Sequence, residues 1–251
     1  MDLGIASHVA IVTGGGAGIG ARTCVALARE GANLVVVDLD IEKAQTIVEE
    51  VRTYGVRAIA LEVDVSDLGQ TQAMVEKTLS EFGKIDILNN LAGMARPGLF
   101  KDSKKESWEL EIDACLYGVM NCCKSVIDPM MECKYGRIVN VASDAGKAGE
   151  KLMVSYSAAK AGIMGFTRSL AREMGRYWIN VNAVCPGMTK GTGMTAMMND
   201  ELEKIFLKNY PLRRLGRPED TTNAVAFLSS RAADWITGQA ISVNGGYYMG
   251  G

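Results

Sequence analysis

Short runs of consecutive apolar residues alternate along this chain with stretches in which apolar positions recur at helical spacing. Residues 9–13, 33–39 (NLVVVDL), 58–65, 85–90, 136–142, 180–185 and 240–243 read as seven strands. Helices are predicted after the first glycines through Glu30, over about 41–54 and near 67–82, and VSYSAAKAGIMGF also reads as helix. Unbroken Val, Ile and Leu runs between helices predict a parallel sheet covered on both faces. No charge block, Pro-rich linker or internal repeat divides the series. Residues 1–251 are therefore read as one doubly wound α/β domain of about seven strands, helices on both faces. The rhythm breaks at residues 186–215, which hold glycines, a methionine cluster and a predicted short helix near 200–208. Excursions of this length serve as lids or binding loops, and a substrate-binding lid is the reading preferred over a surface insertion packed on the core.

Apolar residues make up 48% and charged residues 22%, the balance of a soluble globular protein, and the net charge of −2 points to neither nucleic acid nor an anionic membrane surface. No apolar stretch approaches the roughly 20 residues of a membrane helix. Residues 1–7 lack the basic start and apolar core of a signal peptide, so a cytoplasmic setting is expected. The six cysteines are then read as reduced thiols packed as small hydrophobes. Cys122 and Cys123 are adjacent and His8 is the sole histidine, which is not the spacing of a zinc site, so no metal is expected.

The segment TGGGAGIG, Thr13 to Gly20, falls between the first strand and the first helix. Gly14, Gly16, Gly18 and Gly20 permit a tight turn and close approach of backbone to a ligand, and the helix start offers free N–H groups to a pyrophosphate. The spacing is T-G-x-x-x-G-x-G rather than G-x-G-x-x-G. Asp38 ends the second strand, where a carboxylate accepts bonds from adenosine ribose hydroxyls and repels a 2′-phosphate, favouring NAD over NADP. Asp64, ending the third strand, is either a contact for the adenine or a helix N-cap, a role for which Ser66 and Asp67 compete.

Tyr156 and Lys160 lie four apart and share one helical face. A free phenol titrates near 10, too high for proton exchange near neutrality, and a fixed ammonium joined by the positive ring of an oxidised nicotinamide favours the phenolate. Ser143 ends the fifth strand, on the side where ligands bind in such sheets, and its hydroxyl can hold a substrate oxygen while Tyr156 exchanges the proton.

Together these residues resemble the short-chain dehydrogenase/reductase family, over nearly the whole chain. The motifs are TGGGAGIG, Asp64-Val65, Asn90-Leu91-Ala92-Gly93, Ser143 with Tyr156-x-x-x-Lys160, Pro186-Gly187, Arg217-Pro218-Glu219-Asp220, Thr237-Gly238 and Gly245-Gly246. The resemblance implies a Rossmann-type fold and a nicotinamide cofactor. It implies Tyr156 as general acid/base, Lys160 on the nicotinamide ribose and Ser143 orienting the substrate. It further implies backbone contact from Ile19, a flank for the adenosine side from Asn90, Ala92 and Gly93, and a hold on the carboxamide from Pro186, Gly187 and Thr189. A homotetramer is expected on the same ground. Three departures stand out: Leu91 replaces a second asparagine, Gly191 stands where many members carry threonine, and Cys115 occupies the position of an asparagine that holds a water in the proton relay. A shifted water, a backbone carbonyl or slower turnover are the readings left open by Cys115.

In the family, segments holding Met94, Met153, Met188, Met194, Met197 and Met198 line the substrate cleft, with Cys115 near them, and a polarizable wall suits an apolar or alicyclic alcohol. Half of these methionines read equally well as packing residues. Arg96 and Lys151 are read as solvated charges, the alternative being contact with a carboxylate or CoA phosphate. GRIVNVASDAGKAGE and the tail resemble members acting on cyclic hydroxyacyl-CoA thioesters, on acyl-carrier thioesters or on steroids. The expectation is an NAD(H)-dependent oxidoreductase on an alicyclic secondary alcohol. A 3-oxoacyl-thioester reductase ranks next, weakened by Asp38 because biosynthetic reduction draws on NADPH, and a hydroxysteroid dehydrogenase third. An alternative of another class is a dinucleotide-binding sensor or scaffold with weak catalysis.

Overall fold

A computed structural model of the chain describes residues 3–195 and 199–250. Its strands are β1 (Val9–Thr13), β2 (Asn33–Asp38), β3 (Ala58–Glu62), β4 (Ile87–Asn90), β5 (Gly136–Val141), β6 (Ile179–Pro186) and β7 (Ala240–Val243). They pair in parallel in the order β3-β2-β1-β4-β5-β6-β7. The helices are α1 (Gly18–Arg29), α2 (Ile41–Arg52), α3 (Leu68–Phe82), α4 (Lys105–Ile112), α5 (Gly118–Cys133), α6 (Ala145–Ala148), α7 (Val154–Met174), α8 (Asp200–Leu207) and α9 (Pro218–Leu228). Several strands are shorter than their apolar runs. β3 stops at Glu62, and residues 63–65 leave the ladder to border the cavity described below.

Alternation within the strands divides the core. Val9, Ile11, Val35 and Val37 pack on the face covered by Val119, Cys122 and Val126 of α5 and Ile163 of α7. Ala10, Val12, Leu34 and Val36 face the other way, onto Cys24 and Val25 of α1 and Ala44 and Val48 of α2. Val225 and Leu228 of α9 close this second layer over Val139, Val141 and Val184. Both faces of β1 and β2 are therefore largely apolar, which is why these strands read as continuous runs. Because β1 is flanked by β2 and β4, successive connections leave in opposite directions there, and a crevice opens at the carboxyl ends of the strands.

The helix starts follow local chemistry. Asp40 caps α2 by accepting from Lys43 N at 3.2 Å, and Asp67 caps α3 by accepting from Gln70 N at 3.1 Å, so Asp67 takes the cap for which Asp64 and Ser66 were candidates. At α1 the N-cap is Ala17, whose side chain makes no cap bond. A single π-helical turn, Asp113–Tyr117, joins α4 to α5 and holds Cys115 buried. Among the described residues, no helix is long and apolar enough to cross a membrane.

Candidate active site

The carboxyl ends of β1, β2, β4, β5 and β6 open on one cavity of about 610 Å³. The glycine loop forms one end of it. Gly14 adopts a φ of +64°, and a Cβ there would meet Ala92 Cα at 2.9 Å, so only glycine lets the loop lie against the end of β4. A Cβ on Gly20 would stand 1.9 Å from Gly14 O, so the first turn of α1 rests directly on the loop backbone. Gly14, Ala17, Gly18, Ile19 and Gly20 line the cavity. The α1 terminus, with no side-chain cap, presents its N–H groups and positive dipole end there, which fits a pyrophosphate.

Gly16 departs from the expectation of direct contact. It does not line the cavity, and its N–H donates to Asp38 Oδ2 at 2.9 Å. Its part is to hold Asp38, whose Oδ1 accepts from Asp40 N at 3.1 Å. Both carboxylate oxygens keep lone pairs for ribose hydroxyls, and Asp38 lines the cavity. Asp64 and Val65 line it as well, with Asp64 Oδ1 accepting from Ser66 N and Oγ at 2.9 and 2.7 Å. Leu91, Ala92 and Gly93 follow, and the Thr13 hydroxyl oxygen accepts from Leu91 N at 3.2 Å and Ala92 N at 3.3 Å. Asn90 is a second correction. It is buried inside the sheet, where its amide donates to Asn140 Oδ1 at 2.8 Å, and it does not reach the cavity. On the opposite wall Pro186, Gly187 and Thr189 line the cavity, and Thr192 and Thr195 each donate to Thr189 O, at 3.0 and 2.9 Å. Thr192, beside the unusual Gly191, packs toward Gly18.

Ser143, Tyr156 and Lys160 stand together on the middle wall. The sheet places Ser143 just past β5, where its Oγ accepts from Ala145 N at 3.2 Å. One face of α7 supplies the other two. Lys160 is buried, and its Nζ donates to Val141 O at 2.7 Å and lies 5.6 Å from the Tyr156 ring centroid. Burial pushes the Tyr156 phenol above its ordinary value, although the Lys160 ammonium and the Ser143 hydroxyl pull it down. The depression expected from the ammonium is thus outweighed by desolvation in the protein alone; the expectation counted a second positive charge at the site.

Cys115 does not line the cleft, against expectation. It is fully buried, and its thiol donates to Met94 O at 3.3 Å, gripping the loop after β4 from behind. Met94, Met153 and Met188 do line the cavity. The side chain of Met194 and the whole of Met197 and Met198 lie outside the described residues. Arg96 borders a separate cavity of about 250 Å³, and Lys151 is exposed, so neither stands at the cleft.

Asp144, Glu150, Phe206, Tyr210 and Tyr247 also line the cavity and were not singled out from the sequence. Asp144 directly follows Ser143, but Glu150, Tyr210 and Tyr247 come from a turn, a loop and the tail that no local spacing connects. Five of the cysteines are buried, with Cys123 pushed up to about 12 and Cys185 to about 11 by desolvation, and Cys133 is exposed. All six are free thiols.

Residues 14–248 match the family described as enoyl-(acyl carrier protein) reductase. The 3-oxoacyl-[acyl-carrier-protein] reductase FabG of Staphylococcus aureus is 41% identical over 241 residues, spanning 96% of this chain and 98% of its own. The (2S)-[(R)-hydroxy(phenyl)methyl]succinyl-CoA dehydrogenase subunit BbsD of Thauera aromatica is 38% identical over 246 residues, 97% of this chain and 98% of its own. The crystal structure of a protein described as a short-chain alcohol dehydrogenase from Sinorhizobium meliloti 1021 superposes with a TM-score of 0.94 at 32% identity, over 98% of each chain.

Proposed function

Given that the chain belongs to the short-chain dehydrogenase/reductase family, we propose that it interconverts a secondary alcohol and a ketone with NAD(H), on an apolar or alicyclic substrate. Membership carries oxidoreductase chemistry and a nicotinamide dinucleotide. The observation that carries the rest is the presence of the glycine loop, Asp38, Ser143, Tyr156 and Lys160 on the walls of one cavity.

In this reading the uncapped start of α1 binds the pyrophosphate and Asp38 accepts from the adenosine ribose. Thr189, with Pro186 and Gly187, holds the carboxamide end. A nicotinamide dinucleotide held by these residues would supply the hydride chemistry. Tyr156 Oη moves the proton to or from the substrate oxygen, and Ser143 Oγ holds that oxygen in reach. Lys160, anchored on Val141 O, keeps its remaining N–H groups for the nicotinamide ribose and lowers the cost of ionising the phenol. Bringing the phenol about 3 units below its free value requires on the order of 4 kcal/mol, more than Lys160 overcomes against burial by itself, so the positive charge that an oxidised nicotinamide would add is part of the reading. Of the segment 186–215, proposed as the substrate-binding lid, the described residues Met188, Thr192, Thr195 and Phe206 stand at the cavity.

A 3-oxoacyl-thioester substrate is the second reading, favoured by the names of the FabG relatives. Asp38 weighs against NADPH, and with it against a biosynthetic reductase. The exposed apolar residues Trp235, Ile241 and Met249, on and around the edge strand β7, favour self-association, and a homotetramer is the proposed assembly. The free thiols suit a reducing, cytoplasmic setting.

The test is turnover of purified protein with NAD or NADP, on cyclic secondary alcohols and on a 3-oxoacyl thioester, followed by nicotinamide absorbance. The reading expects a higher kcat/KM with NAD by about tenfold or more. Preference for NADP would overturn the role of Asp38. Absence of turnover with NADH still bound would make the chain a dinucleotide-binding sensor or scaffold.

A further inference from the structure

The substrate end of the cavity holds a polar device that the proton-transfer group does not use. Glu150 lies in the turn between α6 and α7 and lines the cavity. Its Oε2 accepts a hydrogen bond from Tyr247 Oη at 2.8 Å. Tyr247 belongs to the C-terminal tail, and its ring stacks on Tyr210 with centroids 5.1 Å apart. Tyr210 Oη in turn accepts from Met188 N at 2.8 Å. The turn, the tail and the lid segment are thus tied together at one wall by three contacts.

Glu150 is held at both ends. Its backbone N–H donates to Ser157 Oγ at 3.3 Å, one residue past Tyr156 on α7, so its position is referred to the proton-transfer helix. Burial and the Glu150 carboxylate push the Tyr247 phenol up to about 12, so it remains a donor throughout the physiological range. The same wall carries the apolar side chains of Met153, Met188 and Phe206.

The charges around the cavity are lopsided. Among the described lining residues the carboxylates are Asp38, Asp64, Asp144 and Glu150, and the cation is Lys160, fixed on Val141 O. Asp38 and Asp64 belong to the adenosine end. Asp144, beside Ser143, accepts from Ser242 Oγ at 3.1 Å, and burial holds its carboxyl above the ordinary range. The substrate end therefore offers hydrogen-bond acceptors and negative charge, with apolar walls between.

We propose that Glu150, set in place by Tyr247, is a specificity-determining subsite that accepts a hydrogen bond from a second hydroxyl on an alicyclic substrate and disfavours a carboxylate at that position. The substrate class is then a hydroxylated ring, a diol or polyol, one of whose hydroxyls meets Ser143 and Tyr156 while another meets Glu150. This rests on the alcohol-dehydrogenase reading above. A hydrogen bond to a charged acceptor is worth about ten- to a hundredfold in affinity. A carboxylate there would face a like charge in a partly desolvated wall.

The test compares cyclohexanol, the isomeric cyclohexanediols and the hydroxycyclohexane carboxylates in wild type, Glu150→Gln and Tyr247→Phe. Two readouts are used: kcat/KM with NAD, and binding to the NADH complex by quenching of nicotinamide fluorescence. In wild type the best diol should exceed cyclohexanol by about tenfold and the carboxylates should fall below it. Glu150→Gln should lower the diol-to-cyclohexanol ratio by about tenfold and raise the carboxylate-to-cyclohexanol ratio. Tyr247→Phe should shift both ratios the same way, by less. Ratios that stay at the wild-type values in both variants, with melting temperatures retained, overturn the subsite. If wild type oxidises none of these alcohols, the alcohol-dehydrogenase reading fails, and the binding ratios still judge Glu150.

Discussion

The Lys160 ammonium lies 5.6 Å from the centroid of the Tyr156 ring, one helical turn away, and is anchored by Val141 O at 2.7 Å. The sheet, through that carbonyl, sets where the charge stands relative to the phenol. Replacing Tyr156 by Phe keeps the ring and removes the hydroxyl with its exchangeable proton. Turnover should fall by about 10² to 10⁴, and NADH affinity should stay within about twofold. The phenol titrates above its ordinary 10.0 when folded, so the stability it contributes is complete below that value and is lost as pH rises through the folded value. Tyr156→Phe should therefore lose less stability than wild type above about pH 10, a comparison made by denaturation across alkaline pH. Equal loss of NADH binding and turnover would contradict the assignment.

Gly20 bears on the dinucleotide end. A methyl group there would stand 1.9 Å from Gly14 O, and that atom is backbone with nowhere to go. Gly20→Ala should displace the loop and weaken NADH binding by about tenfold or more. Titration of NADH fluorescence checks this, and an unchanged affinity would mean that the loop is not the pyrophosphate cradle.

Cys115 tests whether the missing asparagine matters. The thiol is buried, bonds to Met94 O and does not line the cavity. Cys115→Ala should cost about 1 kcal/mol of stability and lower kcat by less than about threefold. A fall in kcat of about a hundredfold would place the thiol in the proton path and reject this account.

Asp220 anchors the start of α9. It accepts from Arg217 N at 2.7 Å and takes Arg214 in a two-pronged pair at 2.5 and 2.8 Å. The Arg214 bond is the main cause that lowers its carboxyl to about 2, from an ordinary 3.8. A depressed carboxylate contributes stability that is present above the ordinary value and is lost as pH falls through the folded value. Because the pair is partly exposed, Asp220→Asn should cost only about 1 kcal/mol near neutrality. That difference from wild type should close as pH approaches about 2, as read by urea denaturation at each pH.

Much of this molecule is legible along the chain because its physics is local. A strand buried on both faces is apolar at most positions, so the runs within Val9–Thr13 and Asn33–Asp38 declare themselves. A glycine loop before a helix, an aspartate at a strand end, and a tyrosine and lysine one turn apart are each short-range patterns whose function follows from neighbouring residues. Gly16 and Asn90 mislead for the same reason. Their motif position suggests ligand contact, whereas one is occupied in holding Asp38 and the other is bound inside the sheet to Asn140.

From order and spacing alone, the chain's residues determine a parallel α/β sheet, a glycine-rich helix start and a Ser–Tyr–Lys group. Only the folded structure decides that Cys115 grips Met94 from behind the cleft and that Glu150 meets Tyr247 across 97 positions of sequence. The reason is that these contacts join segments whose encounter is set by the packing of helices and tail over the sheet, and no periodicity within any one segment records where another will arrive.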